Sequence, residues 1–276
     1  NQNQPEAEEQ YNHYLKEIEP ELDHNEEQIR EWLELNQDAP LISVIIPTYN
    51  TNSNHLRECI ESVCRQSYPN WELCICDDSS SAVSVKTILK SYQSLDPRIK
   101  LIFREKNGHI CEASNDALRM ATGEYVALLD HDDILADNAL YWVARELQKK
   151  PQANLIYSDE DKINDDGMRA CPHFKPAFNI DLLLSYNFIS HLGVYRREIL
   201  KQIGGFRVGF EGSQDHDLAL RTVLESSPDQ IIHIPRVLYH WRAHSESTAS
   251  NPDSKDYTTE SGHKAVQHFL DEQHRR

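Results

Sequence analysis

The sequence predicts an α/β domain with a mainly parallel central sheet flanked by helices, preceded by a helical extension. Three observations carry this. From residue 41 onward, short apolar runs alternate with helical stretches, the pattern of successive βαβ units. Several of those runs stop abruptly at Asp, Asn or Ser, as strands do where they open into a ligand crevice. The first 40 residues differ in composition, being rich in Glu, Gln and Asn.

Residues 1–40 form the extension and 41–276 the main domain. Tyr11, Tyr14, Leu15, Ile18 and Leu22 give one helical stripe and Ile29, Trp32, Leu33 and Leu35 another, closed by Pro40. Residues 41–46 are almost all apolar, as in a strand buried on both faces, and Pro47-Thr48-Tyr49-Asn50 ends them. A helix over 55–66 leads to a strand at 71–76, which stops at Asp77-Asp78-Ser79-Ser80. A helix at 83–92, a strand at 99–103 and a helix at 112–121 follow. Gly123 then introduces Tyr125-Val126-Ala127-Leu128-Leu129, and carboxylates arrive at its end in Asp130-His131-Asp132-Asp133. Beyond lie a helix at 138–149 and a strand at 154–157 that is expected to end in Ser158-Asp159-Glu160-Asp161. Residues 165–187, with Pro172 and Pro176, are expected to be irregular and to wall the substrate. A strand at 189–195, a helix at 196–203, a turn at Gly204-Gly205-Phe206 and a helix at 215–225 come next. Two strands, 230–234 and 237–241, and a terminal helix at 258–274 complete the chain.

Forty-five acids against 28 Lys and Arg give a formal charge of −17 over 276 residues. A nucleic acid held through its phosphates requires a basic face, so that partner is excluded. A small nucleotide is not, because a metal ion can supply the positive charge. The six cysteines include no Cys-x-x-Cys pair or zinc spacing. They are read as buried free thiols of a reducing compartment, with Cys74 and Cys76 on opposite faces of one strand. No signal peptide is evident and no apolar run approaches the roughly 18 residues of a membrane span. The expected location is the cytoplasm, with peripheral attachment at the inner face of the cell membrane as a variant. The chain starts at Asn1 without Met, consistent with a piece of a longer protein.

Asp130 and Asp132, one residue apart after an apolar strand, offer hard oxygen ligands to Mg²⁺ or Mn²⁺. The competing explanation is an acidic loop in which Asp133 or Asp137 caps the next helix. The motifs decide between them by order and spacing. Val44-Ile45-Ile46-Pro47-Thr48-Tyr49-Asn50, Asp77-Asp78-Ser79-Ser80, Leu129-Asp130-His131-Asp132-Asp133, Ser158-Asp159-Glu160-Asp161-Lys162, Gly204-Gly205-Phe206, Gln214-Asp215-His216-Asp217-Leu218 and Tyr239-His240-Trp241-Arg242 occur in that order. Over roughly residues 41–250 the chain resembles an inverting family 2 glycosyltransferase with the GT-A fold, of the bacterial O-antigen and capsule type.

The resemblance implies transfer of a sugar from a nucleotide diphosphate sugar to a hydroxyl of a glycan or lipid-linked saccharide, with UDP as the first expectation and dTDP or GDP as alternatives. Pro47, Thr48 and Tyr49 would line the base pocket, and Asp78 would read the base edge or ribose. Asn107, Asn115 and His131 would lie near the donor, although Asn107-Gly108 is also an ordinary turn. Asp132 would bind Mn²⁺ or Mg²⁺, with Asp130 on the ribose or a metal-bound water and His244 completing the site. The ion would neutralise charge on the departing diphosphate. Inversion needs a base opposite the leaving group, and Asp215 matches the family's carboxylate, with Asp217 its rival. Asp159, Glu160, Gln214, Trp241 and Arg242 would fall near the acceptor or transferred sugar. Other classes compete. A phosphatase of the haloacid dehalogenase type carries Asp-x-Asp after its first strand, whereas three βα units precede it here. A dinucleotide oxidoreductase would need Gly-x-Gly-x-x-Gly after the first strand. A catalytically silent nucleotide- or sugar-binding module of a larger glycan-assembly protein is the non-enzymatic alternative.

Overall fold

The computed structural model describes residues 4–242 and 252–275. Strands β1 (Ile42–Thr48), β2 (Trp71–Asp77), β3 (Ile99–Phe103) and β4 (Tyr125–Leu128) pair in parallel in the order 3-2-1-4. β5 (Ile134–Leu135), β6 (Leu155–Ile163), β7 (Arg169–His173), β8 (Gly193–Arg196) and β9 (Ile231–Arg242) extend the same sheet. β8 lies antiparallel between β4 and β6, β9 runs parallel to β6, and β5 is antiparallel to β9. The β1–β4 order puts helical crossovers between parallel neighbours, and both faces of β1 and β2 are buried.

The period of two along each strand divides the core into two layers. Val44, Ile46, Leu73, Ile75 and Ala127 pack with α4 (Ser53–Cys64), α5 (Val83–Leu95) and α7 (Ala139–Lys149). Ile45, Cys74, Cys76 and Val126 pack on the other face with α6 (His109–Met120), α9 (Arg197–Gln202), α10 (Gln214–Leu224) and α11 (Pro252–Arg275). Cys74 and Cys76 therefore share a face, correcting the expectation above, because residues two apart in a strand always do; both are free thiols.

Of the boundaries that differ from the sequence reading, three change the architecture. β6 does not stop before its acids but carries Ser158 to Asp161 inside the sheet. It can do so because each carboxylate has partners. Asp159 accepts from Lys175 N at 2.8 Å and lies 2.7 Å from His233 Nε2; Asp161 accepts from Tyr11 Oη and Arg169 Nε and faces His240 Nδ1 at 2.6 Å. The stretch expected to be irregular contains β7 and α8 (Ile180–Ser185). The two expected late strands are one, β9; its register against β6 jumps from Ile234 to Val237, so Pro235 and Arg236 are accommodated without breaking it.

The extension docks on this far side of the sheet. α1 (Gln4–His13) continues through a π-helical turn into α2 (Glu19–Leu22), and α3 (Glu26–Leu35) is capped by Asn25, whose side chain accepts from Gln28 N. Glu19 pairs with Arg169, Asp23 accepts from Trp142 Nε1, and Ile29 is buried in the main core. Among the described residues no helix is long and apolar enough to cross a membrane.

Buried Glu160 gives the sheet a pH signature. Burial opposes its ionisation, but His173, Lys175 and the His191 N–H favour the carboxylate more, bringing its pKa from 4.5 down to about 2. A depressed carboxylate contributes stability above its unfolded pKa and loses it as pH falls through the folded one. Thermal melts should therefore show stability declining between pH 4.5 and 2, and Glu160→Gln should flatten that limb. An unchanged acid limb in the variant would remove Glu160 as its cause.

Candidate active site

β4 ends where the acids begin. Asp133 N donates to Asp130 O at 3.2 Å, closing a turn that folds Asp133 back beneath Asp130. Asp133 is buried and held at both oxygens: Tyr239 Oη donates to Oδ2 at 2.5 Å and Arg242 N to Oδ1 at 2.7 Å. Burial first, then the charges of Asp130 and Asp132, push its pKa well above the usual carboxylate range. Such crowding is relieved by a cation, so the donor set suits one. Donor atoms of Asp130, Asp133 and His191 lie within 4.8 Å of one another. His191 stacks on Tyr239 with ring centroids 4.6 Å apart. Asp133 already has both oxygens engaged, which makes it a brace for the turn. Among the described residues no side chain donates to the Asp130 carboxylate. Asp132 is only partly buried; its carbonyl accepts from Arg242 Nε at 2.8 Å.

Beside this turn the ends of β1 and β2 frame a cavity of about 290 Å³. Pro47, Thr48, Tyr49, Asp78, Asn107 and His131 line it, with His109, Ile110 and Ala113 from the start of α6. Asp78 is fixed by Gly108 N at 2.9 Å and Arg104 Nε at 2.9 Å, while Asn107 Nδ2 donates to Asp78 O. His131 Nδ1 lies 3.1 Å from Pro47 O, tying the acidic turn to the cavity wall. Thr48 Oγ1 is buried without a partner, and Tyr49 leaves about half of its surface exposed. The structure does not bring Asn115 here. Its amide accepts from Phe206 N and donates to Phe206 O, and it lines a separate cavity beside Gly204 and Gly205.

Asp215 stands in the first turn of α10. Its pKa is raised from 3.8 to about 6, by burial and then by the charge of Asp130, with His191 and a 3.0 Å bond from Gln214 Nε2 opposing the shift. The dependence on Asp130 and His191 places Asp215 within electrostatic reach of the acidic turn. Asp217 has a different environment. Arg207 and Arg221 both clamp its carboxylate, and Arg221 reaches on to the carbonyls of Ile203 and Gly205. That network holds the Gly204-Gly205 turn against α10 and commits Asp217 to it.

The sequence model of the family "Glycosyl transferase family 2" matches residues 43–204. The chain belongs to this family. It is 37% identical over 231 residues to the O-antigen biosynthesis protein RfbC of Myxococcus xanthus, covering 84% of this chain and 18% of that protein. It is 48% identical over 234 residues to the protein y4gI of Sinorhizobium fredii, covering 85% of this chain and 26% of that one. The chain thus spans about a quarter or less of these relatives. The structure of Staphylococcus aureus TarS 1–349 with UDP-GlcNAc superposes with a TM-score of 0.62 at 21% identity, covering 78% of this chain and 64% of that one. The Pyrobaculum calidifontis mannosyltransferase PcManGT with GDP-Man and Mn²⁺ gives 0.58 at 18%, covering 89% and 80%. These likenesses show the GT-A fold.

Within this glycosyltransferase domain several expected site residues lie away from the cleft's open surface. Asp159 and Glu160 are buried, their oxygens engaged by His233, Lys175, His173 and the His191 N–H. Arg242 is buried under the acidic turn, where its guanidinium meets Asp132 O, Glu58 and Asp165; burial and partners there make it a brace in place of a sugar or phosphate contact. Trp241 is partly buried beside His191 and takes Lys162 over its ring at 4.9 Å. Gln214 supports Asp215 and buries an unpartnered Oε1. His244 lies outside the described residues. His191 was not among the sequence candidates: one of 14 histidines, it sits in no acidic motif, and only the β8–β4–β9 arrangement carries it to the turn.

Proposed function

We propose that this domain transfers a sugar from a nucleotide diphosphate sugar to a hydroxyl of a growing surface glycan, by one displacement with inversion. The observation that carries the reading is Asp215, a carboxylate with its pKa lifted to about 6 within electrostatic reach of the Asp130 turn. A general base works best with a pKa near the working pH, and few surface carboxylates reach that range. The nucleoside would occupy the cavity of Thr48, Tyr49 and Asp78, placing its diphosphate toward His131 and Asp130. Asp130 and Asp132 would hold a divalent ion, with His191 as a nitrogen donor and Asp133 keeping the turn closed. When bound, Mn²⁺ or Mg²⁺ supplies charge neutralisation for the diphosphate. Asp215 then takes the proton of the acceptor hydroxyl as the new bond forms. RfbC, named for O-antigen biosynthesis, and the Escherichia coli chondroitin synthase, 29% identical over 212 residues, support a polysaccharide acceptor. UDP is the first donor to test, as TarS is seen with UDP-GlcNAc.

The test is calorimetric titration with UDP, dTDP, GDP and CDP, each with Mn²⁺ and with EDTA, followed by transfer assays with the sugars of the base that binds. Metal-dependent binding of one nucleotide and transfer from its sugar are expected. Failure of all four to bind would leave a silent module instead.

The raised pKa also fixes a pH dependence. The base acts only when deprotonated, so the transfer rate should be level above about pH 7 and fall tenfold per unit as pH drops below about 6. A rate–pH profile at saturating Mn²⁺ checks this. A rate unchanged down to pH 4.5 would exclude Asp215 as the base.

A further inference from the structure

A buried ion pair in the sheet has no part in the transfer step proposed above. Glu160 of β6 and Lys175, just past β7, meet where those two strands pair, with Lys175 Nζ 3.4 Å from Glu160 Oε2. The Lys175 side chain has no exposed surface and that of Glu160 keeps 8%. Such a pair is a poor source of stability. Two apolar side chains of similar size would fill the space about as well without desolvating two charges. Its contacts point to another purpose.

Every donor of the Lys175 ammonium is spent locally. Besides Glu160, Nζ donates to Ile189 O at 2.7 Å and to His191 O, which uses all three of its N–H groups. Glu160 Oε2 accepts the His191 N–H at 2.9 Å, and Oε1 lies 3.2 Å from His173 Nδ1. The backbone of His191 is thus gripped on both sides, its N–H by the acid and its C=O by the base. The same segment carries Ser190 at φ 41°, a left-handed conformation that a residue other than Gly holds only where its surroundings impose it. Asn187 Oδ1 accepts from Ser190 N at 3.2 Å and adds a third hold. Beyond the grip, the His191 ring lies flat on Tyr239, 13° from parallel, and Tyr239 Oη is the group that donates to Asp133. Resting on the glycosyltransferase reading, we propose that Glu160 and Lys175 are positioning residues for the cation site. They fix the His191 backbone so that its ring nitrogen meets the ion held by Asp130 and Asp132.

This role can be separated from a charge effect. Glu160 and Lys175 together carry no net charge, so removing both leaves the net charge around the acidic turn as it was. A change in cation affinity then reports where His191 stands. Lys175→Met alone is less useful, because it strands Glu160 as a buried, uncompensated carboxylate.

The experiment is electron paramagnetic resonance of Mn²⁺ with the whole chain and UDP, or whichever of the four nucleotides binds. The free-ion signal gives Mn²⁺ affinity, and spin-echo modulation reports a histidine nitrogen bonded to the metal. The wild type should show that nitrogen and His191→Ala should lack it. Glu160→Met combined with Lys175→Met should fold, bind Mn²⁺ about tenfold more weakly and lose most of the nitrogen signal. Its nucleotide affinity in EDTA should match the wild type. Added to His191→Ala, the same two substitutions should cost no further Mn²⁺ affinity, because the pair acts through that ring. A paired variant that keeps either the wild-type Mn²⁺ affinity or the nitrogen signal would overturn the proposal. So would a paired variant that fails to fold, a further loss in the His191→Ala background, a wild type without the nitrogen signal, or a signal that survives His191→Ala. Nucleotide binding separates the two levels. Without metal-dependent binding of a nucleotide by the wild type the glycosyltransferase reading falls, whereas with it intact those outcomes defeat this inference alone.

Discussion

Asp215→Asn should lower sugar transfer by about 10³-fold or more while nucleotide affinity in the presence of Mn²⁺ stays essentially unchanged. Asparagine fills the same space and can still meet Gln214 Nε2 through its amide oxygen, so the first turn of α10 should keep its shape. What it cannot do is take a proton. Its neutrality also removes the repulsion with Asp130 that helps raise the wild-type pKa, so nucleotide affinity has no electrostatic reason to fall. The contrast is Asp217, two residues on. Asp217→Asn takes the counter-charge from Arg207 and Arg221 and should cost stability by about 3 kcal/mol, with loss of activity only as far as the fold is lost. Single-turnover transfer rates and thermal melts on both variants separate the roles. Near-normal transfer by Asp215→Asn would move the base elsewhere; a melt unchanged in Asp217→Asn would deny that residue its structural part.

The distinction between those two acids shows what could be read in advance and what could not. The sequence places both at the start of one helix, and spacing cannot tell which faces the cleft. The arginines from the preceding loop and from the next turn, arriving at Asp217, give that acid a structural part that the sequence did not reveal. The parallel half of the sheet was legible because β1 and β2 are buried on both faces and are therefore apolar almost throughout. β6 was not, because its acids are neutralised by residues distant in sequence: Tyr11, Lys175, His233 and His240. A strand carrying Ser-Asp-Glu-Asp reads locally as a loop until those partners are in place. Thr48, Tyr49 and Asp78 of the cavity were legible for the opposite reason: they sit at or just past the ends of the adjacent strands β1 and β2, so strand ends bring them together, whereas His109, Ile110 and Ala113 of α6 were not read. Asn115 fails that rule, lying mid-helix and serving the Phe206 turn.

Chelation should have the second large effect. With EDTA in place of Mn²⁺, nucleotide affinity should fall by at least about tenfold, and Asp130→Asn should show the weaker affinity whether or not Mn²⁺ is present. A diphosphate brought near Asp130 and Asp132 meets carboxylates already crowded enough that, after burial, their charges help raise the pKa of Asp133 beneath them. Neutralising one acid reduces that repulsion, so a variant that only relieved crowding would bind nucleotide more tightly without metal. Loss of the metal-dependent gain is therefore specific to ligation. Asp133→Asn should behave differently again. Its two oxygens receive Tyr239 Oη and Arg242 N; with the amide oxygen kept on Arg242 N, the amide N–H faces Tyr239 Oη, which already accepts from Asp130 N and must give up its own donated bond, so the turn loosens along with the end of β9. That variant should lose stability as well as affinity, whereas Asp130→Asn should melt at or above the wild-type temperature because a like-charge contact has been removed. Calorimetry with and without Mn²⁺, paired with melts, reads both. Equal affinity in Mn²⁺ and EDTA for the wild type would remove the ion from the mechanism. A full metal-dependent gain in Asp130→Asn and Asp132→Asn alike would shift its ligation to His191 and Asp133, where the donor atoms of the turn converge.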